Sequence, residues 1–350
     1  MMSTYKATAD NVKLVGRTYF DGEKLWCGLS GSGISFKFKG TECEIEIGGD
    51  NIASADDIKS KARFAILVNN ERIIDDIVAY DNKGYKVIDS ADEVTCVITV
   101  IKLSEAAMSA LSINNISACG SILPADNKKK FIEFIGDSIT CGYGVDDEDA
   151  EHNFSTSTED MTKAYAYRTA KALDVDYSMV SYSGYGIISG YTGDGVRNEN
   201  ELVPPYYEKL AFTYGAFGDK KPQNLAWDFS IRQPDLIVIN LGTNDDSFCF
   251  EDEEKRAEYC EKYIDFLKVV RKNNPSAKIV CSLGIMTDRL CPYVEKVAAD
   301  YSSQTGDTNI TTFRFAVQLF EDGFAANYHP TAVTHKKAAE SLTAFLKTIL

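Results

Sequence analysis

Three short stretches of this sequence carry groups capable of acyl transfer, two of them where a strand would hand over to a helix. The first is Gly136-Asp137-Ser138-Ile139-Thr140, which follows the apolar run FIEFIG and sets a serine hydroxyl at a strand-to-helix turn. Backbone N–H groups and the positive end of a helix dipole at such a turn can receive a developing oxyanion. The stretch is not the G-x-S-x-G elbow, since Thr140 stands where the last glycine would be, and a serine that merely caps the helix is the alternative reading. The second is Asn240-Leu241-Gly242-Thr243-Asn244-Asp245, again directly after an apolar run. The Asn244 amide can donate to an oxyanion or can hold its own loop through an Asx turn. Between the two, Ser181-Tyr182-Ser183-Gly184-Tyr185-Gly186 offers a glycine whose N–H can approach a ligand with no side chain in the way. The third is His329-Pro330. Of the three histidines, His152 lies in the acidic loop DDEDAEHNF and His335 on a helix face read as solvated. Pro330 keeps His329 extended and out of the helix that follows, so His329 is the natural general base.

The elements that must position these groups fall into two textures. Up to about residue 125 the sequence reads as strands with period-two alternation, clearest in Ile34, Phe36, Phe38 and again in Cys43, Ile45, Ile47. The stretches 33–40, 41–49, 63–74 and 93–103 are the expected strands. Short strands with Gly, Asn and Asp turns predict an antiparallel β-sandwich of jelly-roll type over residues 1–125. From about 130, apolar strand-like runs (131–136, 176–181, 235–242, 278–284) alternate with helical stretches, the pattern of a three-layer α/β/α domain with a parallel sheet over residues 130–350. The boundary falls in GSILPADNKKK. In open α/β sheets, ligands bind beyond the carboxyl ends of the strands, where the serine, glycine and asparagine stretches lie.

Composition narrows the partners. The chain carries 37 Lys and Arg against 52 Asp and Glu, a net charge of −15. Such a field repels phosphate backbones and anionic headgroups, so nucleic acid and membrane surfaces are poor partners and a neutral or cationic substrate fits better. Nine cysteines with no C-x-x-C pair read as reduced, partly buried thiols rather than a disulfide framework or zinc ribbon. Reduced thiols, with no apolar leader at the N-terminus of the chain as given, point to a cytoplasmic setting, or to secretion had a leader been trimmed. No metal and no cofactor is expected, because the histidines do not pair at i, i+4 and none sits beside a cysteine pair. Oligomeric state, including a homo-oligomer, is left open.

GDSIT at 136–140, the glycine of SYSGYG, GTND at 242–245 and the late His-Pro, in that order, resemble the four blocks of the SGNH (GDSL-type) hydrolase superfamily. The longer stretches IEFIGDSITCGYG and WDFS…QPDLIVINLGTND, with a β-rich domain in front, are similar to carbohydrate esterase family 2, acetyl esterases of plant polysaccharides or sugars. The resemblance implies Ser138 as nucleophile, His329 as base, and an oxyanion hole of Ser138 N–H, Gly184 N–H and the Asn244 side chain. It implies deacetylation of xylan, mannan or their oligosaccharides through an acetyl-serine intermediate. Many relatives carry an Asp two or three residues before the histidine, where this chain has Ala326 and Asn327. A dyad is expected instead, with either a backbone carbonyl or Asn327 Oδ1 accepting from the imidazole. Tyr143, Tyr191, Trp227 and Tyr328 lie in or near the blocks and offer flat faces to sugar rings, core packing being the alternative for each. The other readings are a lipid esterase or thioesterase on the same scaffold, disfavoured by the lack of a lid-like apolar segment, and a non-catalytic carbohydrate-binding protein.

Overall fold

The computed structural model describes residues 2–350. They form two separate sheets, one antiparallel and one parallel.

The antiparallel sheet has nine strands: β1 (Ser3–Tyr5), β2 (Lys13–Val15), β3 (Thr18–Phe20), β4 (Leu25–Cys27), β5 (Gly33–Gly49), β6 (Arg63–Val68), β7 (Glu71–Ile77), β8 (Lys83–Lys102) and β9 (Leu111–Pro124). The two stretches expected at 33–40 and 41–49 are one long strand, β5, which pairs with β8 on one side and β9 on the other. Its inward set runs on even numbers through Ile34, Phe36 and Phe38 and on odd numbers through Cys43, Ile45 and Ile47, all in one core. A register shift between Gly40 and Glu42 explains the change of parity. One extra residue in a strand reverses the face of everything after it, so the bulge keeps both halves on the same core. The stretch expected as one strand at 63–74 is a hairpin, β6 and β7, turning at Asn69 and Asn70 with φ of 51° and 70°. Successive left-handed residues make the tight turn that suits the twist of paired strands, and Asn tolerates that conformation.

Residues 2–128 form one compact unit with 154–159 and 209–226. The two later segments are fastened within it. Phe217 stacks on Trp26 with ring centroids 5.6 Å apart, the Arg17 guanidinium donates to the Lys209 carbonyl at 2.8 Å, and the Glu105 N–H donates to the Glu159 carboxylate at 2.8 Å.

The second unit takes in 129–153, 160–208 and 227–350. Its parallel strands are β10 (Phe131–Gly136), β11 (Asp176–Ser181), β12 (Leu236–Asn240), β13 (Lys278–Ile285) and β14 (Ile310–Val317), in the order β11-β10-β12-β13-β14. Its helices are α1 (Ser138–Cys141), α2 (Tyr165–Leu173), α3 (Pro204–Tyr207), α4 (Thr243–Cys249), α5 (Glu253–Asn273), α6 (Cys291–Thr305) and α7 (Ala332–Leu346). The order is that of a doubly wound sheet whose switch point lies at β10, where such folds bind ligands. All five residues of β12 are buried, and Ile132, Phe134 and Ile135 of β10 are fully so, each worth about 1.5–3 kcal/mol on burial. Strand β14 was not expected from the sequence. It is a half-exposed edge strand, with Arg314 among its residues, and has no continuous apolar run to mark it.

His335 is a correction. Placed on a solvated face by the sequence, it is fully buried, and its Nδ1 accepts from the Tyr165 N–H at 3.2 Å. Helix α7 turns His335, Ala338, Ala339 and Leu342 inward and leaves Lys336 and Lys337 in water.

Candidate active site

Strand register assembles one side of the site. Gly136 of β10 pairs with Ser181 of β11 and with Asn240 of β12. The residues two to four beyond those pairs, Ser138, Gly184 and Asn244, therefore emerge along one edge of the sheet. Ser138 opens α1, whose N-cap is Asp137; the Asp137 carboxylate accepts from the Ile139 N–H at 3.0 Å. That leaves Ser138 N–H without an acceptor among the described hydrogen bonds, and the same holds for Gly184 N–H. Gly184 sits at φ 83°, a conformation that favours glycine. The Asn244 side chain is buried and donates one amide hydrogen to the Tyr185 carbonyl at 2.8 Å, which fixes the amide and leaves its second N–H free.

Asp245, next in the chain, was not singled out by sequence reasoning. Its buried carboxylate accepts from Ile187 N–H at 2.9 Å, Ile188 N–H at 2.7 Å and Ser189 N–H at 3.2 Å. It thereby ties the loop after Gly184 to the start of α4. Burial pushes the Asp245 carboxyl up to about 6 against those amides. Asp137 is pushed up to about 7 by burial, with the neighbouring Asp245 charge adding to the rise.

The other side of the site is a loop. His329 Nε2 lies 2.9 Å from Ser138 Oγ. Nδ1 lies 3.1 Å from the Asn327 carbonyl and 3.2 Å from that of Ala326. Two acceptors at Nδ1 call for the proton there, which leaves Nε2 unprotonated toward the serine. The Asn327 side chain is engaged elsewhere: its Oδ1 accepts from the Tyr143 hydroxyl at 3.1 Å. Asn327 and Tyr328 adopt φ of 52° and 59°, and this left-handed pair turns the chain so that both carbonyls converge on the ring. Each such non-glycine residue costs roughly 1–2 kcal/mol. With no anion at Nδ1, burial dominates and pushes the His329 pKa down to about 4, only partly offset by the Asn327 and Ala326 carbonyls.

What holds the His329 loop was not legible either. The Ala326 N–H donates to the Asp147 carbonyl at 3.0 Å and the Asn327 N–H to the His152 carbonyl at 3.1 Å. A Cβ on Gly144, itself at φ 60°, would fall 2.7 Å from the Ala326 Cβ, so only glycine permits this approach. The acidic loop is pinned in turn by the Asp147 carboxylate, 3.0 Å from His152 Nδ1. That hydrogen bond and the Asp147 and Asp149 charges raise the His152 pKa.

The four aromatic candidates part company. Tyr143 stacks on the His329 ring, centroids 3.9 Å apart and planes 21° off parallel. Tyr191 is 64% exposed, and its N–H donates to the Gly184 carbonyl at 2.8 Å. Tyr328, half exposed beside His329, bonds through its hydroxyl to Glu151. Trp227 is not brought to the site. Its N–H donates to the Glu208 carbonyl, and the Glu208 carboxylate accepts from Asn273 Nδ2 at 2.8 Å, where α5 ends just before β13 begins. This is the amino edge of the sheet, opposite Ser138.

A serine and an imidazole in hydrogen-bond contact thus lie at the carboxyl edge of a parallel sheet, flanked by backbone and side-chain amide donors, the arrangement that acyl transfer to a serine requires. The chain belongs to the GDSL-like Lipase/Acylhydrolase family, which residues 134–337 match; residues 14–125 match the Carbohydrate esterase 2 N-terminal family. The chain is 30% identical over 330 residues to Cellulase/esterase CelE of Acetivibrio thermocellus, covering 92% of this chain and 37% of that protein, so it spans little more than a third of that relative. It is 27% identical over 356 residues to an acetylxylan esterase / glucomannan deacetylase of Cellvibrio japonicus, covering 99% of this chain and 91% of the relative. Its fold is similar to that of an acetyl xylan esterase from the rumen bacterium Butyrivibrio proteoclasticus, with a TM-score of 0.89 and 23% identity over 99% of this chain and 98% of that one. Among the described residues no helix is long and apolar enough to cross a membrane.

Proposed function

We propose that this chain is a serine esterase that removes O-acetyl groups from carbohydrate, acetylated xylan, mannan or their oligosaccharides. The observation that carries the reading is the 2.9 Å contact between Ser138 Oγ and a His329 whose Nδ1 is held by two carbonyls. His329 Nε2 takes the hydroxyl proton as Ser138 Oγ attacks the acetyl carbonyl carbon. The carbonyl oxygen becomes an oxyanion received by Ser138 N–H, Gly184 N–H and the free Asn244 N–H. Collapse breaks the ester C–O bond, and the imidazolium gives its proton to the departing sugar oxygen. Water, deprotonated by the same nitrogen, then attacks the acetyl-serine; acetate leaves and the proton returns to Ser138. The oxyanion and the imidazolium form together, so neutral carbonyls at Nδ1 can orient the ring without a third charge, at some cost in imidazolium stabilisation.

The named activities of the relatives support a glycan acetyl ester as substrate, and the exposed faces of Tyr191 and Tyr328 beside Gly184 and His329 support a sugar ring there. The nine cysteines form no disulfide with one another and eight of them are buried, which supports a reducing compartment for this chain. Acetate release from acetylated glucomannan and xylan, with Ser138→Ala as control, tests the proposal. Acetate from at least one glycan, lost by about 10⁴ or more in the variant, is expected; a wild-type protein that cleaves p-nitrophenyl acetate but no glycan acetate would overturn the substrate class.

A further inference from the structure

Phe320 is 87% exposed, more than any other large hydrophobic side chain among the described residues. It is not on a loose segment. Its turn is tied by Lys337 Nζ donating to both Asp322 carboxylate oxygens at 2.7 Å and by Thr331 Oγ1 donating to the Asp322 carbonyl at 3.0 Å. A ring held out to water on a fastened turn is set for a partner. From Phe320 the rings step inward: its centroid lies 6.1 Å from that of Phe324, and Phe324 lies 5.8 Å from Tyr328, the residue before His329. The strip thus ends at the residue that precedes His329 in the chain. The turn carries two acids, Asp322, which is ion-paired with Lys337, and the exposed Glu321, so the charge beside the strip is negative and not positive.

Each step of the strip is about the length of one pyranose ring, and the faces on offer are apolar, as the faces of a pyranose are. An anionic headgroup or polyanion would find no cation there, since the Lys337 ammonium is occupied by Asp322. We propose that Phe320 and Phe324 bind further neutral sugar residues of the glycan chain whose acetyl group lies at Ser138, so that this site prefers acetylated oligosaccharides of several units to single-sugar acetates. The inference rests on the esterase reading above and gives it a chain-length dependence.

The test compares kcat/KM on acetylated manno- or xylo-oligosaccharides of increasing length with that on a single-sugar acetate, for wild type and Phe320→Ala. The fold does not depend on so exposed a side chain. The long-over-single ratio should fall roughly two- to tenfold in the variant, the size of one lost ring contact, and the change should sit in KM. A ratio that stays constant overturns the proposal. So does a wild-type dimer that becomes monomeric in Phe320→Ala by light scattering, which would assign the strip to a second copy of the chain. Should wild type release acetate from no glycan, the esterase reading fails separately. Calorimetry of Ser138→Ala with unacetylated oligosaccharides still decides the strip: binding weakened by Phe320→Ala upholds it, and no binding overturns it.

Discussion

The two sides of the site are built by different means. Ser138, Gly184 and Asn244 are set by strand register: three parallel strands end together at Gly136, Ser181 and Asn240, and the next few residues inherit a common edge. His329 follows a tail of turns and owes its place to single hydrogen bonds, from Ala326 and Asn327 to the acidic loop at 144–152 and from its own Nδ1 back to their carbonyls. The sheet edge is cooperative with the core and tolerant of local change. The histidine loop has no such reserve, so its chemistry is exposed to substitutions that touch no reacting atom.

The largest effect sits where the two sides meet. His329→Gln should lower kcat by about 10⁴ or more with the fold intact by circular dichroism. On the sheet side, Asn244→Ala should cost about 10² to 10³ in kcat, as one oxyanion donor does; a loss under threefold would remove Asn244 from the hole. On the loop side, Asp147→Ala frees the pin on His152 and should lower kcat by up to about tenfold, because a displaced base loses alignment before it loses binding. KM for p-nitrophenyl acetate should hardly move. Smallest is Asn327→Gly, which keeps the left-handed backbone and both carbonyls while removing the side chain: under about threefold is expected, given that only the Tyr143 contact is lost. A hundredfold loss there would make the side chain, not the main chain, the orienting group.

The same contrast explains what could be seen in the sequence. GDSIT, SYSGYG and GTND follow apolar runs, and periodicity finds such runs, so the sheet side was legible down to Ser138, Gly184 and Asn244. His329 stood out through scarcity and its proline. The support of its loop did not, because Asp147 and His152 act largely through main-chain carbonyls that no side-chain pattern marks. Asp245 was hidden in the same way: its partners are the amides of residues 187–189. Trp227 was misjudged because sequence proximity to a block says nothing about which end of a strand it lies near. The bulge in β5, by contrast, was visible as a shift from even to odd apolar positions, though only pairing with β8 and β9 shows the two stretches to be one strand. Two front-unit segments, 154–159 and 209–226, return from far along the chain through contacts such as Phe217 on Trp26, which local texture cannot register.

Burial of neutral imidazoles also sets an acid limit. His329 and His335 are pushed down to about 4 and about 3 by burial, whereas an unfolded histidine titrates near 6.5. Between those values the unfolded chain binds more protons than the native one, so this contribution is full above about pH 6.5, falls as pH drops from there toward the native values, and levels off below them. The buried Asp137 and Asp245 carboxyls, raised to about 7 and about 6, work the other way over the same range, so the check is a difference: relative to wild type, the urea midpoint of His335→Gln should rise as pH is lowered from about 7 to about 4.

The central claim is that carbonyls, not a carboxylate, orient His329, the proposed base. ¹⁵N NMR of the imidazoles, with His329 assigned by its absence in His329→Gln, tests it most directly. At about pH 7 the account predicts a neutral ring protonated at Nδ1 and bare at Nε2, gaining its second proton only well below the ordinary histidine value of about 6.5. A His329 that is cationic at about pH 7, or that titrates above about 6.5, would contradict it, for only an anion beside Nδ1 could raise the ring so far.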